Sequence, residues 1–192
     1  RTASVRELNV NVQRSSWRLG ANPARVAWTD TGISLADLEL VDTAGQQHVT
    51  AGGTWDNRGG GAMRVAMQSV RLESLLLDDE SLARYGGVLD GTAVIGGTAE
   101  HPTVTSDFRI SAGRIRRLAY DAFGGHVEYR DDGLHVDVRL DQAPGVWLTG
   151  SGVVPLSAFD RSKPAEPLRL AVKSSDVSLT LLEGVSDVVR NV

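Results

Sequence analysis

One stretch of this chain occurs twice, and the repetition constrains the fold more than any other feature. Residues 22–32 and residues 123–133 share one pattern at an offset of 101 residues, with Val26-Ala27-Trp28 matching Val127-Glu128-Tyr129. Residues 49–53 and 63–67 then match residues 148–152 and 168–172. Such repetition is typical of an extended protein built by stacking supersecondary units, whose function lies along a surface. We therefore expect two repeats, over residues 1–86 and 87–192, within one continuous solenoid-like domain excised from a longer protein.

Apolar and polar residues alternate along most of the chain, which is the period of a β-strand with one buried face. Leu8 to Val12, residues 33–40 and residues 134–140 show this alternation clearly. Short turns rich in Gly, Asn and Asp separate the runs, so successive strands are expected to pair antiparallel. The pattern predicts an all-β fold with a repeat of about 100 residues.

Two segments depart from this alternation. Residues 72–85 carry apolar residues at helical spacing and are followed by Gly86 and Gly87, which are suited to ending a helix. Residues 181–189 occupy the corresponding position near the C-terminus. The sequence therefore predicts one short helix in each repeat.

A sheet with one apolar face must cover that face, by pairing with a second sheet, closing into a barrel, or curling around its own groove. The chain has only three Phe, three Tyr and four Trp, and Gly91, Gly97 and Gly150 fall among the inward positions. Small inward residues favour a curled sheet with an elongated, open apolar groove. A closed, dry core without a ligand remains the alternative.

The alternation also predicts which side chains form the apolar face. These positions are aliphatic or aromatic and recur at every second residue of the predicted strands. They are Val10, Val12, Leu35, Leu38, Leu40, Val65, Met67, Ile95, Phe108, Ile110, Val127, Val136, Val138, Leu140, Leu148, Leu170 and Val172.

The motifs of catalysis and metal binding are missing from the sequence. The chain has no Cys, its four His are not at metal-ligand spacing, and it holds no Gly-x-Ser-x-Gly elbow or phosphate-binding loop. We therefore expect no enzyme, no metal and no cofactor. A net charge of −4 argues against a nucleic-acid partner. Residues 114–117 form the one basic cluster, which suits either anionic headgroups or the solvated side of a strand.

Three segments resemble the TamB/AsmA-like family: residues 23–35, residues 89–104 and residues 148–156. The shared feature is a strand ending in Gly-Thr, as at Gly97-Thr98, followed after a short gap by Pro102 and another strand. The likeness extends over nearly the whole chain. It implies a curled β-sheet with an apolar interior, the β-taco, in a protein anchored in the inner membrane of diderm bacteria that crosses the periplasm.

The family resemblance also implies a function. Members are linked to moving phospholipids towards the outer membrane, and to outer-membrane protein assembly with a BamA-like partner. We therefore expect phospholipid acyl chains to lie against the apolar positions named above, and the BamA-like contact to involve other parts of the parent chain. The alternative is a chaperone-like or structural β module with a closed core.

Overall fold

The computed structural model describes residues 1–12, 15–74, 85–115, 118–130, 133–158 and 166–175. These residues are all-β and form one open antiparallel sheet of 13 strands. The strands are β1 (Thr2–Val5), β2 (Asn9–Val12), β3 (Ser15–Leu19), β4 (Ala24–Trp28), β5 (Gly32–Asp42), β6 (His48–Asp56), β7 (Gly61–Arg71), β8 (Tyr85–Gly97), β9 (Pro102–Ile115), β10 (Leu118–Arg130), β11 (Gly133–Ala143), β12 (Val146–Val154) and β13 (Arg169–Ser174).

From β4 onward each strand pairs with its neighbour in the chain, so that the sheet grows as a simple meander to β13. At the N-terminal side, β1 pairs with β4, and the β2–β3 hairpin joins the sheet where β3 pairs with β5. Short turns make this order possible. In one of them, the Thr29 hydroxyl accepts a hydrogen bond from the Gly32 amide at 3.1 Å.

The strands belong to one sheet. Every extensive contact between described strands joins hydrogen-bonded neighbours. The helix expected over residues 72–85 is described only at Leu72–Ser74, which form a 3₁₀ turn. Residues 75–84, and the helix expected over residues 181–189, lie outside the described residues, whereas Tyr85, expected to end the first helix, begins strand β8.

Alternate strands carry irregularities that bend the sheet. The ladder gains one residue on β5, β7 and β9, where Asp37, Ser69 and Ala112 have positive φ angles of 59°, 53° and 48°. A further register shift occurs on β11 between Asp141 and Ala143. A bulge bends its strand and increases the local twist. Because the bulged strands alternate with regular ones, the bending recurs along the length of the sheet.

The repeated sequence segments occupy equivalent strands. In the first copy Val26 lies opposite Leu35, which lies opposite Gly53; in the second, Val127 lies opposite Val136, which lies opposite Gly152. Both glycines have positive φ, 131° and 148°. The boundary expected between residues 86 and 87 falls inside β8, and the sheet continues across it.

Burial is concentrated at one end of the strands. Tyr120 and Leu140 are buried and form a cluster with neighbouring apolar side chains, among them Ile110 and Phe123. The Tyr120 and Phe123 rings meet edge to face at a centroid distance of 6.4 Å. Tyr120 also covers Gly113, since a Cβ atom at that glycine would fall inside the tyrosine ring.

A buried polar cluster closes the β5–β6 turn. The Asp42 carboxylate accepts hydrogen bonds from the Gln46 and Gln47 amides at 2.7 and 2.9 Å and from Gln47 Nε2 at 3.0 Å. Gln47 Oε1 in turn accepts from the Arg71 amide at 2.8 Å, which ties the turn to the end of β7. Burial alone raises the pKa of Asp42, but the Gln47 and Gln46 hydrogen bonds and the Arg71 charge outweigh it and lower that pKa.

Candidate functional site

The strand register assigns each residue to a face of the sheet, because residues directly opposite each other in an antiparallel pair point to the same side. The apolar side contains four rows of side chains that cross the strands. Row 1 is Leu35, Gly53, Met63, Ile95, Val104, Tyr129, Leu134 and Val154. Row 2 is Leu38, Ala51, Val65, Ala93, Ser106, Val127, Val136, Gly152 and Leu170.

The remaining two rows complete this apolar face. Row 3 is Leu40, Val49, Met67, Gly91, Phe108, Gly125, Val138, Gly150 and Val172. Row 4 is Val70, Leu89, Ile110, Phe123, Leu140 and Leu148. Beyond row 1, Trp28, Ile33 and Trp55 form a further apolar end, where Trp55 Nε1 donates a hydrogen bond to the Gly97 carbonyl at 2.9 Å.

Register brings the residues named from the sequence to this one face. Leu35 and Ile95 lie in row 1, Ile110, Leu140 and Leu148 lie in row 4, and the others from Leu38 to Val172 lie in rows 2 and 3. Val10 joins the same face through Trp17 and Asp42 on the neighbouring strands. Val12 pairs with Ser15, and its side chain is outside the described part of the chain. That these side chains hold lipid stays a prediction.

Many side chains of the apolar face are partly exposed to solvent, although Val70 and Leu140 of row 4 are buried. Ile95 is 39% exposed, Leu170 41% and Val172 61%. A folded monomer rarely leaves a continuous apolar surface of this kind without a partner. The face is therefore the strongest candidate for a binding surface in this part of the chain.

Rows 2 and 3 mix large and small side chains, and row 3 alternates between them from β7 to β13. In row 3, Met67, Phe108 and Val138 on β7, β9 and β11 are separated by Gly91 and Gly125 on β8 and β10. Strands lie about 4.8 Å apart, so the large side chains recur at about 9.6 Å with a pit between them. Rows 1 and 4 carry large residues on most strands and border the pitted strip on either side.

The opposite face is polar and carries ion pairs. Asp107, His126 and Asp137 stand opposite one another on three successive strands, and His126 Nδ1 lies 2.9 Å from Asp107 Oδ1. Arg139 contacts Asp141 at 2.8 Å and lies over the Trp147 ring, 5.0 Å from its centroid. Exposed pairs of this kind contribute little to stability, typically below about 1 kcal/mol.

Two hollows lie mainly on this polar face, and a third of about 620 Å³ at the strand ends is lined by Trp28, Ile33 and Trp55 together with Ser34 and Thr54. One of about 880 Å³ is lined mainly by polar-face positions, among them Thr50, Thr92, Asp107, Arg109, His126 and Asp137. Another of about 680 Å³ is bordered by Glu39, Thr50 and Arg64. The groove expected from the sequence stays a prediction.

The described residues contain no group of three or more His, Asp or Glu placed to hold a metal ion. The best-buried carboxylate among them, Asp42, is satisfied by the Gln46 and Gln47 hydrogen bonds and holds the β5–β6 turn. In the part of the chain that the structure describes, no helix has the length and apolar character to span a membrane.

Comparisons of the chain with family models, with curated proteins and with solved structures find no match in any of the three. The resemblance to the TamB/AsmA-like family therefore rests on the sequence segments alone.

Sequence reasoning named side chains of the apolar face but did not predict where glycines lie between the large ones. Gly91 and Gly150 are recognisable as inward positions, whereas the placement of Gly125 between Phe108 and Val138 emerges only from the register. The burial of Tyr120 and Val70 was also missed. The burial of these two side chains depends on irregular backbone near Ala112 and Ser69, and no local sequence pattern predicts that backbone.

Proposed function

We propose that this chain is a segment of a periplasm-spanning, bridge-like protein whose apolar face carries phospholipid acyl chains between the inner and outer membranes. The observation that supports this is a four-row apolar face along one open antiparallel sheet. Each acyl methylene removed from water gains about 0.8 kcal/mol, so such a face binds acyl chains without needing a specific pocket.

In this proposal the two faces of the sheet have different roles. Acyl chains lie across rows 2 and 3, and the solvated polar face keeps the sheet in contact with the aqueous periplasm. Because binding depends on apolar area, any phospholipid with ordinary acyl chains is accepted. Transport then follows the supply of lipid at one end and its removal at the other.

Site-specific photocrosslinking in a diderm bacterium tests the proposal. A photoreactive residue at Val138, on the apolar face, should recover phospholipid, whereas the same residue at Arg139, on the polar face of the same strand, should not. Val138→Asp should stop lipid passage while Arg139→Asp leaves it intact, since only the former places a charge in the path of the acyl chain. Recovery of protein alone from position 138 would refute the proposal.

A second candidate is a chaperone-like module that adds client strands to an exposed sheet edge. One observation favours it: all six residues of β13 are exposed, and among the described residues this strand pairs only with β12. This function predicts that Ala171→Pro, at the edge, abolishes activity while Val138→Asp does not. The lipid proposal predicts the reverse order of effects.

A further inference from the structure

The relief of the apolar face is complementary to itself, and this suggests what covers it when no lipid is bound. Consider a two-fold axis parallel to the strands and lying over the gap between β9 and β10. It places β9 over β10 of a second copy, β8 over β11, and β7 over β12. A two-fold interface of this type uses the same patch on both subunits.

Under this symmetry large side chains meet small ones throughout the middle of row 3. Phe108 faces the partner's Gly125, Val138 faces the partner's Gly91, and Met67 faces the partner's Gly150.

Row 2 shows the same complementarity. Val127 faces the partner's Ser106, Val136 faces the partner's Ala93, and Val65 faces the partner's Gly152. Large residues thus meet small ones in the middle of rows 2 and 3, whereas in rows 1 and 4 large residues of the two copies meet, as Ile95 meets the partner's Leu134.

The area available is sufficient for a stable dimer. The axis superposes eight strands, from β6 to β13. At about 4.8 Å each they span about 38 Å, and four rows at about 6.8 Å span about 27 Å. Their product is about 1,000 Å², against the roughly 800 Å² per partner of a standard interface. Two twisted sheets packed in this way, at an angle of about 30°, form a sandwich with interlocking side chains.

We propose that, without lipid, two copies of this chain associate through their apolar faces into an isologous two-layered sandwich. The occupant of the face is thus a second copy, held by the pairing of large with small residues in rows 2 and 3. The inference concerns the same face as the lipid proposal but does not rest on it: a chain that dimerises and never crosslinks to phospholipid refutes transport alone.

Analytical ultracentrifugation of delipidated chain tests the association. We expect a species of twice the 20.5 kDa chain mass. Ile95→Lys, on the apolar face, should raise the dissociation constant by roughly 100-fold or more, because the dimer buries its charge. Val94→Lys, on the polar face of the same strand, is the matched control and should leave it unchanged. Val172→Lys and Ala171→Lys repeat the comparison on β13, where both side chains are exposed.

The symmetry itself is measurable, since the chain has no Cys and accepts a single spin label cleanly. A label at Asp107 on β9 lies beside the proposed axis, and one at Thr50 on β6 lies three strands farther out. For two sheets about 10 Å apart, we expect distances between copies of about 25 Å and about 40 Å respectively.

Four results would overturn the inference. A delipidated chain that is monomeric at about 100 μM lacks the interface, since a standard interface holds well below that concentration. If Ile95→Lys and Val94→Lys raise the dissociation constant equally, the association does not depend on the apolar face. Equal distances at the two labelled positions rule out the axis. A series of larger oligomers in place of a single dimer would mean that the copies associate through their sheet edges.

Discussion

Gly125 and Gly150 lie in the same row, on either side of Val138, yet they should respond oppositely to the addition of one methyl group. Gly125 has a φ of 153°, in the region that favours glycine, and its Cβ atom would lie 2.7 Å from Val138 Cα and still closer to the Asp137 carbonyl oxygen. At Gly150 the nearest atom, Val138 Cγ2, is 3.7 Å away, which is an ordinary contact.

The magnitudes follow from this geometry. Gly125→Ala must strain the backbone, at about 1–3 kcal/mol, and also push β10 away from β11, so we expect a loss of about 3 kcal/mol. Gly150→Ala removes freedom from the unfolded chain without strain and should change stability by no more than about 1 kcal/mol, in the favourable direction.

Thermal unfolding followed by circular dichroism measures the difference. A loss of about 3 kcal/mol lowers the melting temperature of a chain of this size by roughly 6–12 °C, whereas Gly150→Ala should keep it within about 4 °C of the parent. Equal melting temperatures for the two variants would refute the register placed here between β10 and β11. A matching loss at Gly150 would show that β12 lies closer to β11 than the structure has it.

Three further substitutions test other parts of the sheet. Leu140→Ala should lower the free energy of unfolding in urea by about 2–3 kcal/mol, since it empties the Tyr120 cluster; no change would mean that the cluster does not form. Gly113→Ala should cost at least about 2 kcal/mol by displacing the Tyr120 ring, visible as a blue-shifted tyrosine signal, and a neutral effect would place that ring elsewhere. Asp42 has a pKa below its ordinary value of 3.8, so its contribution is complete above about pH 4 and disappears as the pH falls through the lowered folded value. Asp42→Asn should therefore destabilise at about pH 7 by about 2 kcal/mol and flatten stability below about pH 4, and an unchanged pH profile would contradict the Gln47 contacts.

The strand alternation was enough to predict the all-β fold class. A residue such as Val138 lies between polar neighbours, and the strict two-residue period decides its side of the sheet. The period fails wherever a bulge inserts a residue. Val70 follows Met67 by three residues yet lies on the same face, because Ser69 with its positive φ absorbs the extra position.

The positions of small residues between large ones on the apolar face could not be predicted from the sequence, for a different reason. The position of Gly125 between Phe108 and Val138 depends on three strands meeting in one register, and register is a property of pairs that are far apart in the chain. The duplicated segments offered a partial signal, since Gly53 and Gly152 recur at equivalent positions with equivalent backbone angles. A glycine that recurs on an apolar strand thus indicates a position where a Cβ atom has no room.

The pits of rows 2 and 3 connect the two proposals, because they determine which occupant the apolar face holds most firmly. A flexible acyl chain adapts to any apolar relief and loses little when one pit is filled, whereas a second copy must match knob to pit at fixed spacing. Gly150→Leu should therefore weaken self-association strongly, by opposing the partner's Met67, while leaving lipid crosslinking at Val138 nearly intact. If Gly150→Leu changed self-association as little as lipid crosslinking, the apolar area alone, and not the arrangement of large and small side chains, would determine what the face binds.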